Sequence, residues 1–115
     1  MDVTLDKIQM DIAKEARRFL DKECPTDYAR EMYEDERGFT DDIWTKMVDM
    51  DWMRVRIPEP YGGMGMDQID LTVVLEEMGR AVLPGPFFST VLLAAEAIMA
   101  AGSDSQKERY LTRIA

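Results

Sequence analysis

Apolar residues recur along the chain at the three-to-four-residue spacing of helices, and no stretch alternates long enough to build a sheet. Leu5, Ile8, Ile12, Ala16, Phe19 and Leu20 form one stripe, while Lys7, Asp11, Lys14, Arg18 and Lys22 face away. That pattern predicts a first helix from about Thr4 to Glu23, ended by Pro25. Thr26 to Glu36 carries Tyr28, Met32 and Tyr33 on one side and reads as a short amphipathic helix broken by Gly38. Thr40 is placed to cap a third helix, with Asp41 and Asp42 suited to its positive end and Ile43, Trp44, Met47 and Val48 turned inward. That helix ends near Asp51, and Trp52 to Ile57 reads as an extended connector to Pro58.

A fourth helix is expected after a cap at Asp67. Its stripe is Leu71, Val74, Leu75, Met78 and Val82, widened by Ile69 and Val73, with Glu76 and Arg80 as an i,i+4 pair in the favourable order. Pro84-Gly85-Pro86 interrupts the pattern. Phe87 to Ala101 is a fifth helix, apolar nearly all round, with Glu96 as its one charge, which predicts burial on most faces. Gly102 is expected to stop it in the left-handed conformation. Ser103 and Gln106 then form a capping box that opens a last helix through Ile114. The fold class is all-α, an up-and-down bundle of five to six helices. So few helices can hardly surround the fifth, so part of its surface is left for a partner domain or a ligand.

At 115 residues the chain has the length of one domain with one core. Its net charge of -9 repels phosphate backbones and anionic surfaces, so nucleic acid and membranes are poor partners. The single cysteine, Cys24, excludes an internal disulfide, and reads as an inert thiol at a helix end. With no histidine, a Cys/His metal site and any Ser-His-Asp or Cys-His nucleophile are absent. No signal segment or membrane span is visible, which makes a cytoplasmic protein the default.

Three places invite chemistry. Gly62, Gly63 and Gly65 precede a helix and could cradle a phosphate, but no strand precedes them and Asp67 would repel an anion. A tight turn needing positive φ is the favoured reading. Glu76 and Glu77 point about 100° apart on a helix, so they do not converge on one atom, and pairing with Arg80 accounts for them better. Glu96 is either a buried base with a raised pKa, or a residue on a solvent line or meeting an arginine, and the second is favoured. Most of the ten methionines fall on inner faces, with Met64 and Met66 in the glycine loop as exceptions.

Four motifs stand in order: the connector MVDMDWMRVRIPEP, then YGG-x-G from Tyr61, then LEEMGRA from Leu75, then GSDSQKERYL from Gly102. Together they resemble the N-terminal helical domain of the acyl-CoA dehydrogenases over nearly the whole chain. Asp51 departs from the glycine usual before the aromatic residue, and Thr112 from the proline that often follows YL. The segment GRAVLPGPFFST looks like a bacterial branch handling varied, sometimes bulky or cyclic, acyl groups. The resemblance makes residues 1–115 such a domain, about a third of an enzyme, whose middle β domain and C-terminal helical domain lie outside this chain. It implies an FAD-dependent enzyme in which a carboxylate base removes the α-proton of an acyl-CoA while the β-hydride goes to the flavin. It also implies an electron-transferring flavoprotein as partner and a homo-oligomer. The base and main flavin contacts fall outside the matched region, so no catalytic, cofactor-binding or metal residue is assigned here. By position, Phe88, Ser89, Leu92 and Leu93 would help wall the acyl pocket. Two readings stay open: a portion of a flavin-dependent enzyme, inactive alone, or a stand-alone helical module that binds a partner or an acyl chain.

Overall fold

A computed structural model describes residues 1–115, and the protein is all-α, with no strand. The six α-helices are α1 Lys7–Glu23, α2 Thr26–Glu34, α3 Asp41–Asp49, α4 Gln68–Ala81, α5 Glu96–Ala101 and α6 Asp104–Ile114. A π-helical stretch, Phe88–Ala95, runs without a break into α5, and 3-10 turns occupy Trp52–Arg54 and Glu59–Tyr61. The chain forms two compact units: residues Met1–Phe39 with Ile69–Pro84, and residues Thr40–Gln68 with Gly85–Ala115.

In the first unit α1 begins at Lys7, not Thr4, because Asp6 makes a capping box. Its carboxylate accepts from the Gln9 amide at 2.7 Å, and its own amide donates to Gln9 Oε1 at 3.1 Å. Helices α1 and α4 run side by side in the same direction. Gln9 Nε2 donates to Asp70, Arg17 to Glu77, and Arg80 back to Asp21, and the Cys24 thiol donates to the Ala81 carbonyl. Beneath these links lie the buried Ala16, Leu20, Cys24, Leu71, Val73, Val74 and Met78. Ile8, Tyr33, Ile69 and Val82, expected on inner faces, are instead exposed.

The end of α4 is unusual. Leu83 N–H donates to the Met78 carbonyl and Val82 N–H to the Gly79 carbonyl, the paired bonds of a Schellman stop. The left-handed residue in that stop is Val82, at φ 54, where glycine is the ordinary choice. A β-branched side chain there is strained.

In the second unit Thr40 caps α3 as expected, accepting from the Ile43 amide. The segment after it is not extended. Asp51 adopts the left-handed conformation at φ 64, the chain turns through Trp52–Arg54, and Trp52, Met53, Val55 and Ile57 all become buried. Ile57, Ala95 and Leu111 form a core cluster, flanked by Tyr61, Ile98, Met99 and Ile114. Gly102 ends α5 in an extended conformation, φ -71, not the left-handed one expected. A glycine is needed there for a different reason: a Cβ would sit 2.6 Å from the Ile98 carbonyl oxygen. Ser103 and Gln106 form the expected capping box of α6.

Candidate functional site

The fifth helical segment is covered on one face only. Phe87, Val91 and Ala95 are buried, while Phe88 and Leu93 are 58% and 56% exposed. Ser89, Ala94, Ala97, Ala100 and Ala101 are exposed as well, and Leu92 is half-buried. The expectation of burial on most faces therefore fails, since the second unit has no element to cover the outer side. Three of the four residues singled out from the sequence, Phe88, Ser89 and Leu93, lie fully on that bare apolar face, with Leu92 at its margin. The Ser89 hydroxyl is already engaged, donating to the Pro86 carbonyl at 3.1 Å. Uncharged aliphatic and aromatic groups with one satisfied hydroxyl can exclude water from an apolar ligand, but supply no acid, base or nucleophile.

Behind this helix sits a contact that the sequence reading left between alternatives. Arg56 Nε donates to Glu96 Oε1 at 2.7 Å and Arg56 Nη2 to Glu96 Oε2 at 3.3 Å, a bidentate pair with both side chains 25% exposed. Arg56 Nη1 also donates to the Met66 carbonyl at 3.1 Å. Hydrogen bonding to Glu96 holds the Arg56 guanidinium above its ordinary pKa. Glu96 thus meets an arginine, as the favoured reading had it. Arg56 itself was missed. The signal was present: a cation between the apolar Val55 and Ile57, and a lone anion in the apolar fifth helix.

The glycine turn also has its answer. Gly62 and Gly65 take positive φ, 86 and 62. Gly63 is required because a Cβ there would overlap the Ile57 carbonyl. Every amide from Tyr61 to Met66 donates inward: Tyr61 and Gly63 to Pro58, Gly62 to Glu59, Met64 to Arg54, Gly65 to Ile57 and Met66 to Val55. Their lengths run from 2.9 to 3.2 Å. No amide of Tyr61–Met66 is left to cradle a phosphate. The loop therefore does not fit the pyrophosphate of a dinucleotide.

The acidic pair on α4 works differently from the expected Glu76–Arg80 contact. Glu77, not Glu76, is the paired residue, and it is buried. Arg17 Nε and Nη2 donate to its two oxygens at 3.0 Å each, and Arg80 Nε donates at 2.8 Å. The Arg17 hydrogen bonds hold the Glu77 carboxyl below the usual range against the opposing effect of burial, with Arg80 adding to the lowering. An anion so stabilised is a poor base. Cys24 is buried at the end of α1, and burial raises its thiol pKa, as an inert cysteine requires. No group of His, Cys, Asp or Glu is placed to hold a metal, and no helix is long and apolar enough to cross a membrane.

Residues 6–115 match the family described as "Acyl-CoA dehydrogenase, N-terminal domain". The chain is 28% identical over 110 residues to acyl-CoA dehydrogenase FadE27 of Mycobacterium tuberculosis, covering 96% of this chain and 30% of that protein. It superposes on the crystal structure of the ChsE4-ChsE5 complex from Mycobacterium tuberculosis with a TM-score of 0.88, at 25% identity, covering 99% of this chain and 31% of that one. A Tcur3481-Tcur3483 steroid ACAD matches with a TM-score of 0.80 at 27% identity, covering 95% and 31%. The chain spans 16–30% of the length of the curated relatives it matches.

Proposed function

Since this chain belongs to the acyl-CoA dehydrogenase family, as an N-terminal domain, we propose that it is the N-terminal portion of an FAD-dependent enzyme that desaturates an acyl-CoA thioester at the α,β position. In this reading the domain walls the acyl site with Phe88, Ser89, Leu92 and Leu93. The observation that carries it is the bare apolar face of the fifth helical segment, with Phe88 and Leu93 both more than half exposed. Residues that are apolar and uncovered within their own unit mark a binding surface. FAD, held elsewhere in the enzyme, supplies the hydride acceptor. The present residues supply shape and dryness, and by themselves bind no flavin and oxidise no substrate. The steroid ACAD among the structural neighbours, together with the segment GRAVLPGPFFST, supports a bulky, ring-bearing acyl group over a short straight one. A cytoplasmic homo-oligomer that passes electrons to an electron-transferring flavoprotein completes the proposal.

The test is Leu93→Phe in the full-length enzyme. Each excluded methylene costs about 0.8 kcal/mol of ligand burial, and forced overpacking adds about 1–3 kcal/mol. Long or bulky acyl-CoAs lose kcat/KM while short ones change little. A uniform loss on every acyl length, together with a large drop in melting temperature, would show that Leu93 is a structural residue and refute the assignment.

A further inference from the structure

The burial pattern of the fifth helical segment does not follow an α-helix. Residues seven apart on an α-helix lie within about 20° of one another. Yet Phe87 is buried and Ala94, seven residues on, is exposed; Ala95 is 1% exposed while Phe88, seven residues before it, is 58% exposed. Both pairs violate the α period in opposite senses. They obey the wider π period that the backbone adopts over Phe88–Ala95. Five residues separate Phe88 from Leu93. That step turns through about 140° in an α-helix, but only roughly 50° when each hydrogen bond spans five residues. The wide register therefore brings Phe88, Ser89 and Leu93 onto a single wall, opposite Phe87, Val91 and Ala95, which their four-residue spacing keeps together on the buried side.

Extended π-helix is rare because its hydrogen bonds and axial packing are poorer than those of the α form, so something must hold it. The π stretch ends at Ala95, and the next residue is Glu96, gripped by both forks of Arg56. Arg56 is itself fixed by its bond to the Met66 carbonyl, in the loop whose amides are tied down to residues 54–59. The register change thus falls at the one charged residue of the segment, and that residue is held by a braced cation.

We propose that Arg56 is a positioning residue for acyl specificity: through Glu96 it locks the wide register of Phe88–Ala95, and that register sets the shape of the acyl wall. The inference rests on the reading of this face as the acyl site. Returning the segment to α geometry relative to Glu96 turns Phe88 and Leu92 inward and Phe87 outward, which replaces the side chains that a bound acyl group meets.

The experiment uses the full-length enzyme with Arg56→Gln, Glu96→Gln, the charge-reversed double variant Arg56→Glu with Glu96→Arg, and deletion of Ala94, which removes the extra residue of the wide turn. Two readouts are taken. The first is peptide-resolved alkylation of Phe87→Cys and Phe88→Cys without substrate. The second is the ratio of kcat/KM for a ring-bearing acyl-CoA to that for a straight short-chain one. In the parent background Phe88→Cys reacts at least tenfold faster than Phe87→Cys. Arg56→Gln, Glu96→Gln and the deletion reduce or reverse that preference and shift the specificity ratio about tenfold, and the charge-reversed pair restores both. An alkylation preference unchanged in Arg56→Gln, with only a lower melting temperature, overturns the lock. If Leu93→Phe still alters the acyl profile in that case, the wall reading survives without it. If the alkylation preference changes while the specificity ratio stays put, the wall reading fails and takes the specificity role of Arg56 with it.

Discussion

Replacing Glu77 by glutamine removes one charge and keeps the shape, which isolates the contribution of the anion. In the native protein the carboxylate takes three hydrogen bonds, two from Arg17 and one from Arg80, with its side chain 10% exposed. Oε2 accepts two of them, from the Nε atoms of both arginines. A glutamine with its oxygen at that position keeps two bonds at about half strength. Its amide nitrogen then faces Arg17 Nη2, donor against donor, and the third bond is lost. Bonds to charged groups are worth about 1.5–3 kcal/mol each, so the unscreened loss is about 3–6 kcal/mol. The guanidinium side chains of Arg17 and Arg80 are 57% and 37% exposed, and recover part of this from water. A net loss of about 2–3 kcal/mol remains at neutral pH. With an unfolding entropy near 2.1 cal/mol/K per residue, that is a fall in Tm of roughly 8–12 °C.

The pH dependence makes the test sharper. The folded pKa of Glu77 lies below its reference value of 4.5, so the group binds protons less readily when folded. Its contribution is therefore present above about pH 4.5 and is lost as pH falls through the lower folded value. Thermal unfolding of parent and Glu77→Gln, followed by circular dichroism from pH 7 to pH 3, should show two curves that converge on the acid side. A variant within about 0.5 kcal/mol of the parent at pH 7, or a gap that stays constant to pH 3, would falsify the assignment of Glu77 as the charged link between α1 and α4.

Val82→Gly should be neutral or stabilising by up to about 1 kcal/mol, because relief of left-handed strain, about 1–2 kcal/mol, offsets glycine's entropy and the little burial lost at a residue 69% exposed. Val74→Ala, at a site 1% exposed, should instead cost about 2 kcal/mol or more, and denaturant midpoints compare the two. Gly63→Ala should cost more than about 3 kcal/mol or prevent folding, since its Cβ would overlap the backbone carbonyl of Ile57; a soluble variant with a parental denaturation midpoint would contradict the loop geometry.

Local rules read from the sequence carried a long way. The capping box at Ser103 and Gln106, the cap at Thr40 and the break at Pro25 depend on contacts within four residues, and each stands where the spacing placed it. The all-α class follows from the same short-range periodicity, and so does the apolar character of the fifth segment. At two places the backbone decides the residue. Asp51, standing where glycine is usual, takes the left-handed conformation that glycine favours. The YGG turn needs its glycines for positive φ at Gly62 and close approach at Gly63.

Long-range pairing decided the rest. Which glutamate of α4 turns inward depends on where Arg17, sixty residues away, arrives, and a helical period alone assigned the wrong one of two adjacent acids. The segment Trp52–Ile57 looked extended because its buried residues are too few to display a period, and the core they enter is built from distant helices. Least legible was the wide register of Phe88–Ala95. Sequence periodicity assumes one turn length, whereas here the turn is widened at a glutamate that Arg56 holds from forty residues away. Local hydrogen bonds and steric limits are written in neighbouring residues. The side of a helix that meets another element is settled only when the chain has closed on itself and distant charges have found their partners.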